Sequence, residues 1–254
     1  MRSAPVTPGG DLIRWVELPG AEPARVYVHG LGASSLPYFT GAALHPLLAG
    51  RRSLLVDLLG FGISDRPTDF DYSLEAHADA LAAAIEAAGV ERAQLVAHSM
   101  GGSVAIVLAT RHPHLVRSLV LLDANLDAVA PGPQWMGSGR IAWYSEEEFL
   151  ASGWAETERV VGPHWWSTMR LAGREALHRS SVQLCRGSEP MMRRQLLGLR
   201  IPRTFLYPAD DGRLPGSAEL AEAGVSVVAV PDSGHNIMLD NPDALARAVV
   251  AAES

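Results

Sequence analysis

The chain has 254 residues, of which 48% are apolar, and carries a formal net charge of −7. That length fits one domain, and the apolar share is ample for a core. The acidic balance, without any basic stripe, argues against a nucleic-acid partner. In chain order, Leu12 to Leu18 alternates enough for an early strand, and Ala24 to Val28 forms a second that feeds His29-Gly30. Ser53 to Val56 is the next strand and ends at Asp57. Ser73 reads as the N-cap of a helix with Leu74, Ala78, Leu81 and Ile85 on one face, closed by Gly89. The apolar run Ala93-Gln94-Leu95-Val96 reads as a buried strand, and Val104 to Ala109 as a buried helix that His112-Pro113 stops. Arg117 to Leu122, Arg203 to Tyr207 and Val225 to Val230 are further strands. Asn241-Pro242 then opens a final helix reaching Val250, with proline at a tolerated first-turn position. Alternating strands and helices of this kind build a mostly parallel sheet.

Between the strand 93–96 and the helix that follows it stands Ala97-His98-Ser99-Met100-Gly101-Gly102. Ser99 therefore falls on a sharp strand-to-helix turn, which pushes its side chain out at the C-terminal edge of the sheet. Small residues two places to either side, Ala97 and Gly101, let strand and helix pass closely. The helix N-terminus behind Ser99 supplies free N–H groups and a positive dipole end where negative charge can develop.

This small-x-Ser-x-Gly pattern, with Ala97 in place of the first glycine, resembles the nucleophile elbow of the α/β-hydrolases. His29-Gly30-Leu31-Gly32 resembles the family's oxyanion loop, and Asp57 to Pro67 its post-strand-4 loop. Ser233-Gly234-His235-Asn236 is similar to its histidine loop. The matches run in the family's order across roughly residues 10 to 250. The resemblance implies an eight-stranded, mostly parallel α/β-hydrolase sheet flanked by helices, with a helical cap inserted after strand 6. Residues 1–124 and 202–254 would form the core and 125–201 the cap, an interval without strand signals and broken by Pro131, Pro133 and several glycines. Within it, Ser145-Glu146-Glu147-Glu148 reads as a capping box.

A serine hydroxyl needs a base. His235 follows the last strand at the sheet edge where Ser99 emerges, the edge at which open α/β sheets bind ligands. His98 is expected to turn away from the reacting centre, because adjacent strand residues face opposite sides. His29 is expected to shape the oxyanion loop, and most of the other histidines are expected on the surface. For the acid, matching Pro208-Ala209-Asp210-Asp211-Gly212 to the family's Gly-x-x-Asp turn implies Asp211, although Pro208 stands where the glycine would be. Asp123, which ends an earlier strand, is the main competitor. The resemblance assigns the oxyanion donors to the N–H groups of Leu31 and Met100. Asp57 and Asp65 read as structural.

Five of the six tryptophans lie in the cap interval. Trp135, Trp143, Trp165 and Trp166 are candidates for an apolar substrate wall. Trp165 and Trp166 are neighbours on a helix, about 100° apart, so at most one should face substrate squarely. All 21 basic side chains are arginine, which excludes Schiff-base and phosphate-loop lysine chemistry. Cys185, the single cysteine, rules out an intrachain disulfide and reads as a small buried hydrophobe. No metal-ligand spacing appears, and no cofactor is expected. With no secretory h-region or long apolar span, the expectation is a cytoplasmic protein without stable membrane association. The expected partner is a small, largely apolar molecule. The reading that follows is a serine hydrolase of carboxylic esters or related acyl bonds. The alternatives are a carbon–carbon bond hydrolase or cofactor-free lyase with the same triad, and a ligand receptor of this fold.

Overall fold

Apolar runs bounded by glycine and proline dictate the architecture seen in the computed structural model, which describes residues 1–252. Eight strands form one sheet: β1 (Arg2–Pro5), β2 (Leu12–Leu18), β3 (Ala21–Val28), β4 (Arg51–Asp57), β5 (Ala93–His98), β6 (Val116–Leu122), β7 (Arg203–Pro208) and β8 (Val225–Val230). Their order is β1-β2-β4-β3-β5-β6-β7-β8. The β1–β2 and β2–β4 pairs are antiparallel and every other pair is parallel. The edge strand β1 has no counterpart among the expected elements, since four residues ending in proline carry little periodic signal.

All of β5 is buried, as a strand covered on both faces must be. Alternate residues divide between two cores. Leu95, Ala97, Leu119, Leu121 and Phe205 share one with helices α2 (Leu74–Ala87) and α3 (Met100–Arg111). Val96, Val120, Leu122 and Leu206 share the other with α1 (Ser35–Ala43) and α11 (Pro242–Ala251). The Ser73 hydroxyl accepts from Ala76 N–H at 3.1 Å and caps α2, and Gly89 closes that helix at φ +66°.

Between β6 and β7 the chain leaves the sheet and forms α4 (Ser138–Ile141), α5 (Glu146–Glu148), α6 (Trp154–Met169), α7 (Arg174–Arg186) and α8 (Met192–Gly198). The capping box at Ser145 is present, with Ser145 N–H donating to Glu148 at 2.9 Å and Glu148 N–H to the Ser145 hydroxyl at 3.2 Å. α6 breaks at Gly162, whose φ of +76° with Pro163 beside it redirects the second half of the helix. The remaining helices are α9 (Ser217–Glu222) and α10 (Ile237–Asp240). Cys185 is buried and unbridged. No helix among the described residues is long and apolar enough to cross a membrane.

Candidate active site

Ser99 sits between β5 and α3 at φ +52°, ψ −122°, a strained conformation for a residue with a side chain. Close approach on both sides fixes it. A Cβ on Gly101 would lie 2.3 Å from the His29 carbonyl oxygen, and one on Gly102 would lie 2.4 Å from Ala124 Cβ. A Cβ on Gly30 would come within 3.0 Å of Ser99 Cβ, so the 30–33 loop lies directly over the elbow. Ser99 N–H donates to Leu122 O at 2.9 Å, and Asp123 N–H to Leu206 O at 2.8 Å, which holds the ends of β5, β6 and β7 in step.

His235 Nδ1–H donates to Asp123 Oδ2 at 2.6 Å. With Nδ1–H as the donor, a neutral imidazole presents Nε2 as an acceptor. Asp123 stands just beyond β6 at φ +44°. Asp211, implied by the turn resemblance, is not the residue that meets His235. It ends a one-turn 3-10 segment, Ala209–Asp211, on the surface and makes no side-chain hydrogen bond among the described residues. Pro208 is the physical difference: β7 runs on to Pro208 and the tight 3-10 turn begins at the very next residue.

His98 also departs from expectation. Alternation of side chains holds only in extended chain, and it fails where Ser99 turns to positive φ. His98 lies in the site, its ring 4.5 Å from that of His235, and its Nε2–H donates to His235 O at 2.9 Å. Burial first, then the neighbouring His235, pushes its pKa well below the usual histidine range, so it stays neutral. His77 and His178 are likewise buried rather than superficial. His29 accepts from Leu58 N–H through Nε2 at 3.0 Å and donates from Nδ1 to Gly30 O at 2.7 Å. It thereby ties the 30–33 loop to the end of β4, and burial keeps it neutral. Asp57 receives Ser34 Oγ, Ser35 N–H and Ile63 N–H at 2.7–2.9 Å, and Asp65 receives Leu12 N–H at 2.9 Å. Both carboxylates hold loops.

Ser99 and His235 line a cavity of about 610 Å³. Leu31, Ala33, Tyr38, His98, Asn125 and Asn236 also line its sheet side, with Asn125 Oδ1 3.4 Å from Ser99 Oγ. Asn125 carries no sequence signal, because nothing in the pattern places residue 125 beside residue 99. The inserted helices and loops supply Val129, Trp135, Val161, His164, Trp165 and Leu184. Among the described residues, no arginine, aspartate or glutamate lines the cavity. Trp143 is exposed outside it, and Trp166 packs against Trp154 with ring centroids 4.8 Å apart. As the first residue of α3, Met100 has no acceptor for its N–H within the helix. Leu31 N–H has no acceptor among the described hydrogen bonds. No cluster of metal-ligating side chains occurs among the described residues.

An eight-stranded α/β sheet with a serine on a strained strand–helix turn at its C-terminal edge defines a hydrolase class. The chain belongs to the α/β-hydrolase fold family, whose model matches residues 25–183. A 2-hydroxymuconate semialdehyde hydrolase of Pseudomonas putida is 40% identical over 97 residues, which is 38% of this chain and 34% of that protein. The matched segment thus spans about a third of that relative's length. Among solved structures, an esterase from Exiguobacterium antarcticum superposes with a TM-score of 0.79 at 21% identity, covering 100% of both chains. An enol-lactonase from Burkholderia xenovorans superposes with a TM-score of 0.76 at 20% identity, covering 99% of both. At those identities the superpositions speak for the fold.

Proposed function

We propose that this protein is a serine hydrolase of neutral, largely apolar esters or related acyl compounds. The observation that carries the reading is Ser99, at its strained elbow, and the Asp123-paired His235 on the wall of one cavity. In this reading His235 Nε2 takes the Ser99 proton as Oγ bonds to the substrate carbonyl carbon. The N–H groups of Leu31 and Met100 stabilise the oxyanion, each worth on the order of 3 kcal/mol of barrier. Collapse of the tetrahedral adduct breaks the bond to the leaving alkoxide, which receives the proton from His235. Water, deprotonated by the same histidine, then releases the acid and restores Ser99. Asp123 holds the imidazole and stabilises its charged form. Residues 125–201 act as a cap over the core of 1–124 and 202–254, and no cofactor takes part.

The wall favours uncharged substrates because it offers no arginine among the described residues, and burying a lone carboxylate costs several kcal/mol. A carbon–carbon bond hydrolase is the second reading, favoured by the partial match to the Pseudomonas enzyme. The muconate named there carries a carboxylate, which this wall does not answer. A fluorophosphonate probe together with a nitrophenyl ester series and a dienoate substrate tests the proposal. Labelling of wild type but not Ser99→Ala, with ester turnover, is expected. Turnover of the dienoate alone would select the second reading, and an unlabelled, inert wild type would point to a receptor.

A further inference from the structure

The loop that follows β6 sets three consecutive residues against the elbow. Asp123 meets His235, and Ala124 packs on α3 so closely that a Cβ on Gly102 would lie 2.4 Å from Ala124 Cβ. Asn125 comes next. Its backbone is held from α3, where Ser103 Oγ–H donates to Asn125 O at 2.7 Å. One residue on, Arg193 N–H donates to Leu126 O at 2.9 Å. The loop is thus fixed on both sides of Asn125, whose half-buried side chain reaches the cavity wall beside Ser99.

The carboxamide delivered there is largely unused. Such a group offers two N–H donors and two acceptor lone pairs. Among the described hydrogen bonds, its one side-chain contact comes from the Ser99 hydroxyl at 3.4 Å. That is long for an O–H···O bond, which favours about 2.8 Å. Nδ2 has no acceptor among the described hydrogen bonds. The Ser99 contact is also temporary, because the hydroxyl has one hydrogen and the proposed mechanism sends it to His235. From that step the amide faces substrate with nothing else to bond. Which part of the substrate it faces follows from what the other groups take. The oxyanion goes to the Leu31 and Met100 N–H groups and the leaving oxygen to His235, so the acyl carbon is the substituent left for the Asn125 side.

We infer that Asn125 is a specificity-determining residue, and that the substrate has a hydroxyl group on the first or second carbon of its acyl chain. Those carbons lie one and two bonds beyond the atom that Ser99 Oγ attacks, within reach of a carboxamide 3.4 Å from that oxygen. A hydroxyl both donates and accepts, so it answers Oδ1 or Nδ2. A plain hydrocarbon at that place expels water from the amide and gives it no partner, the kind of mismatch by which polar sites reject apolar analogues. The inference rests on the serine-hydrolase reading above.

Benzyl glycolate and benzyl propanoate differ only by OH in place of CH₃, as do benzyl 3-hydroxypropanoate and benzyl butanoate. Dividing each kcat/KM by the rate of hydroxide-catalysed hydrolysis removes the intrinsic reactivity of the ester. Wild type should then favour the hydroxy member of at least one pair by roughly 3- to 12-fold, the range of one net hydrogen bond. In Asn125→Leu and Asn125→Ala that preference should vanish. A crystal structure of Ser99→Ala with the hydroxy ester should place its hydroxyl within about 3.2 Å of the Asn125 carboxamide, a readout that needs neither Asn125 variant to fold. No hydroxy preference in wild type, a preference that survives both substitutions, or a bound hydroxyl that meets another side chain would each overturn the inference. A wild type that hydrolyses none of the four esters and is not labelled by a fluorophosphonate would overturn the serine-hydrolase reading instead.

Discussion

Holding Asp123 at φ +44° costs a residue with a side chain on the order of 1 kcal/mol or more. Its backbone N–H is anchored to β7 and its carboxylate meets His235, so the strain is held in place from both ends. Asp123→Asn should therefore lower kcat by on the order of 10⁴, because an amide in that place stabilises the wrong imidazole tautomer, as it does in serine proteases of the same chemistry. Asp211→Asn should stay near wild type. Steady-state kinetics on both variants checks the pair, and a collapse at Asp211 with little effect at Asp123 would reverse the assignment. The place of His235 on the cavity wall beside Ser99 was legible in the sequence because it follows the last strand in a short loop. The carboxylate partner was not, since aspartates follow both β6 and β7 and only the turn after each strand decides which reaches the imidazole. His98 was hidden for a related reason: the alternation rule has no force at a residue whose neighbour leaves the extended region.

The helices between β6 and β7 convert residues far apart in sequence into one wall. Ala97, Gly101 and Gly102 made the elbow readable because close strand–helix approach demands small residues at fixed spacing. The wall has no such spacing. Trp135 and Trp165 reach the cavity, whereas Trp143 is exposed outside it and Trp166 packs against Trp154. If the two lining rings bound the acyl chain, Trp135→Ala and Trp165→Ala should move the preferred chain length upward. Each added CH₂ that finds apolar contact is worth roughly 0.8 kcal/mol, or about fourfold in kcat/KM. Trp143→Ala and Trp166→Ala should leave the optimum in place, with Trp166→Ala lowering Tm through its lost packing against Trp154. A chain-length series of nitrophenyl esters on the four variants reads this directly. An optimum that moves with Trp166 and not with Trp135 would put the acyl chain elsewhere.

Across the whole molecule, three buried histidines make stability sensitive to acid. His29 and His77 are fully buried, and His98 is 3% exposed. Burial lowers the pKa of each, that of His77 to about 3. His77 lies where α2 meets α7, its Nε2 3.1 Å from Ser180 Oγ, with Phe61, Phe70 and Tyr72 packed around its ring. In the unfolded chain such a histidine titrates near its ordinary value of about 6.5. The buried neutral form therefore contributes its full stability above that pH. As pH falls from about 6.5 towards 3, the unfolded state binds a proton that the folded state refuses, and stability drops by up to about 1.4 kcal/mol per pH unit for each such group. Glutamine at position 77 can still reach Ser180 but does not titrate. His77→Gln should thus flatten the dependence of unfolding free energy on pH between about 6 and 4.5, where most carboxylates remain ionised. Denaturant unfolding at a series of pH values measures the two slopes. Equal slopes would mean that His77 takes up its proton in the folded protein, with the junction of α2 and α7 opening to solvent before the sheet unfolds.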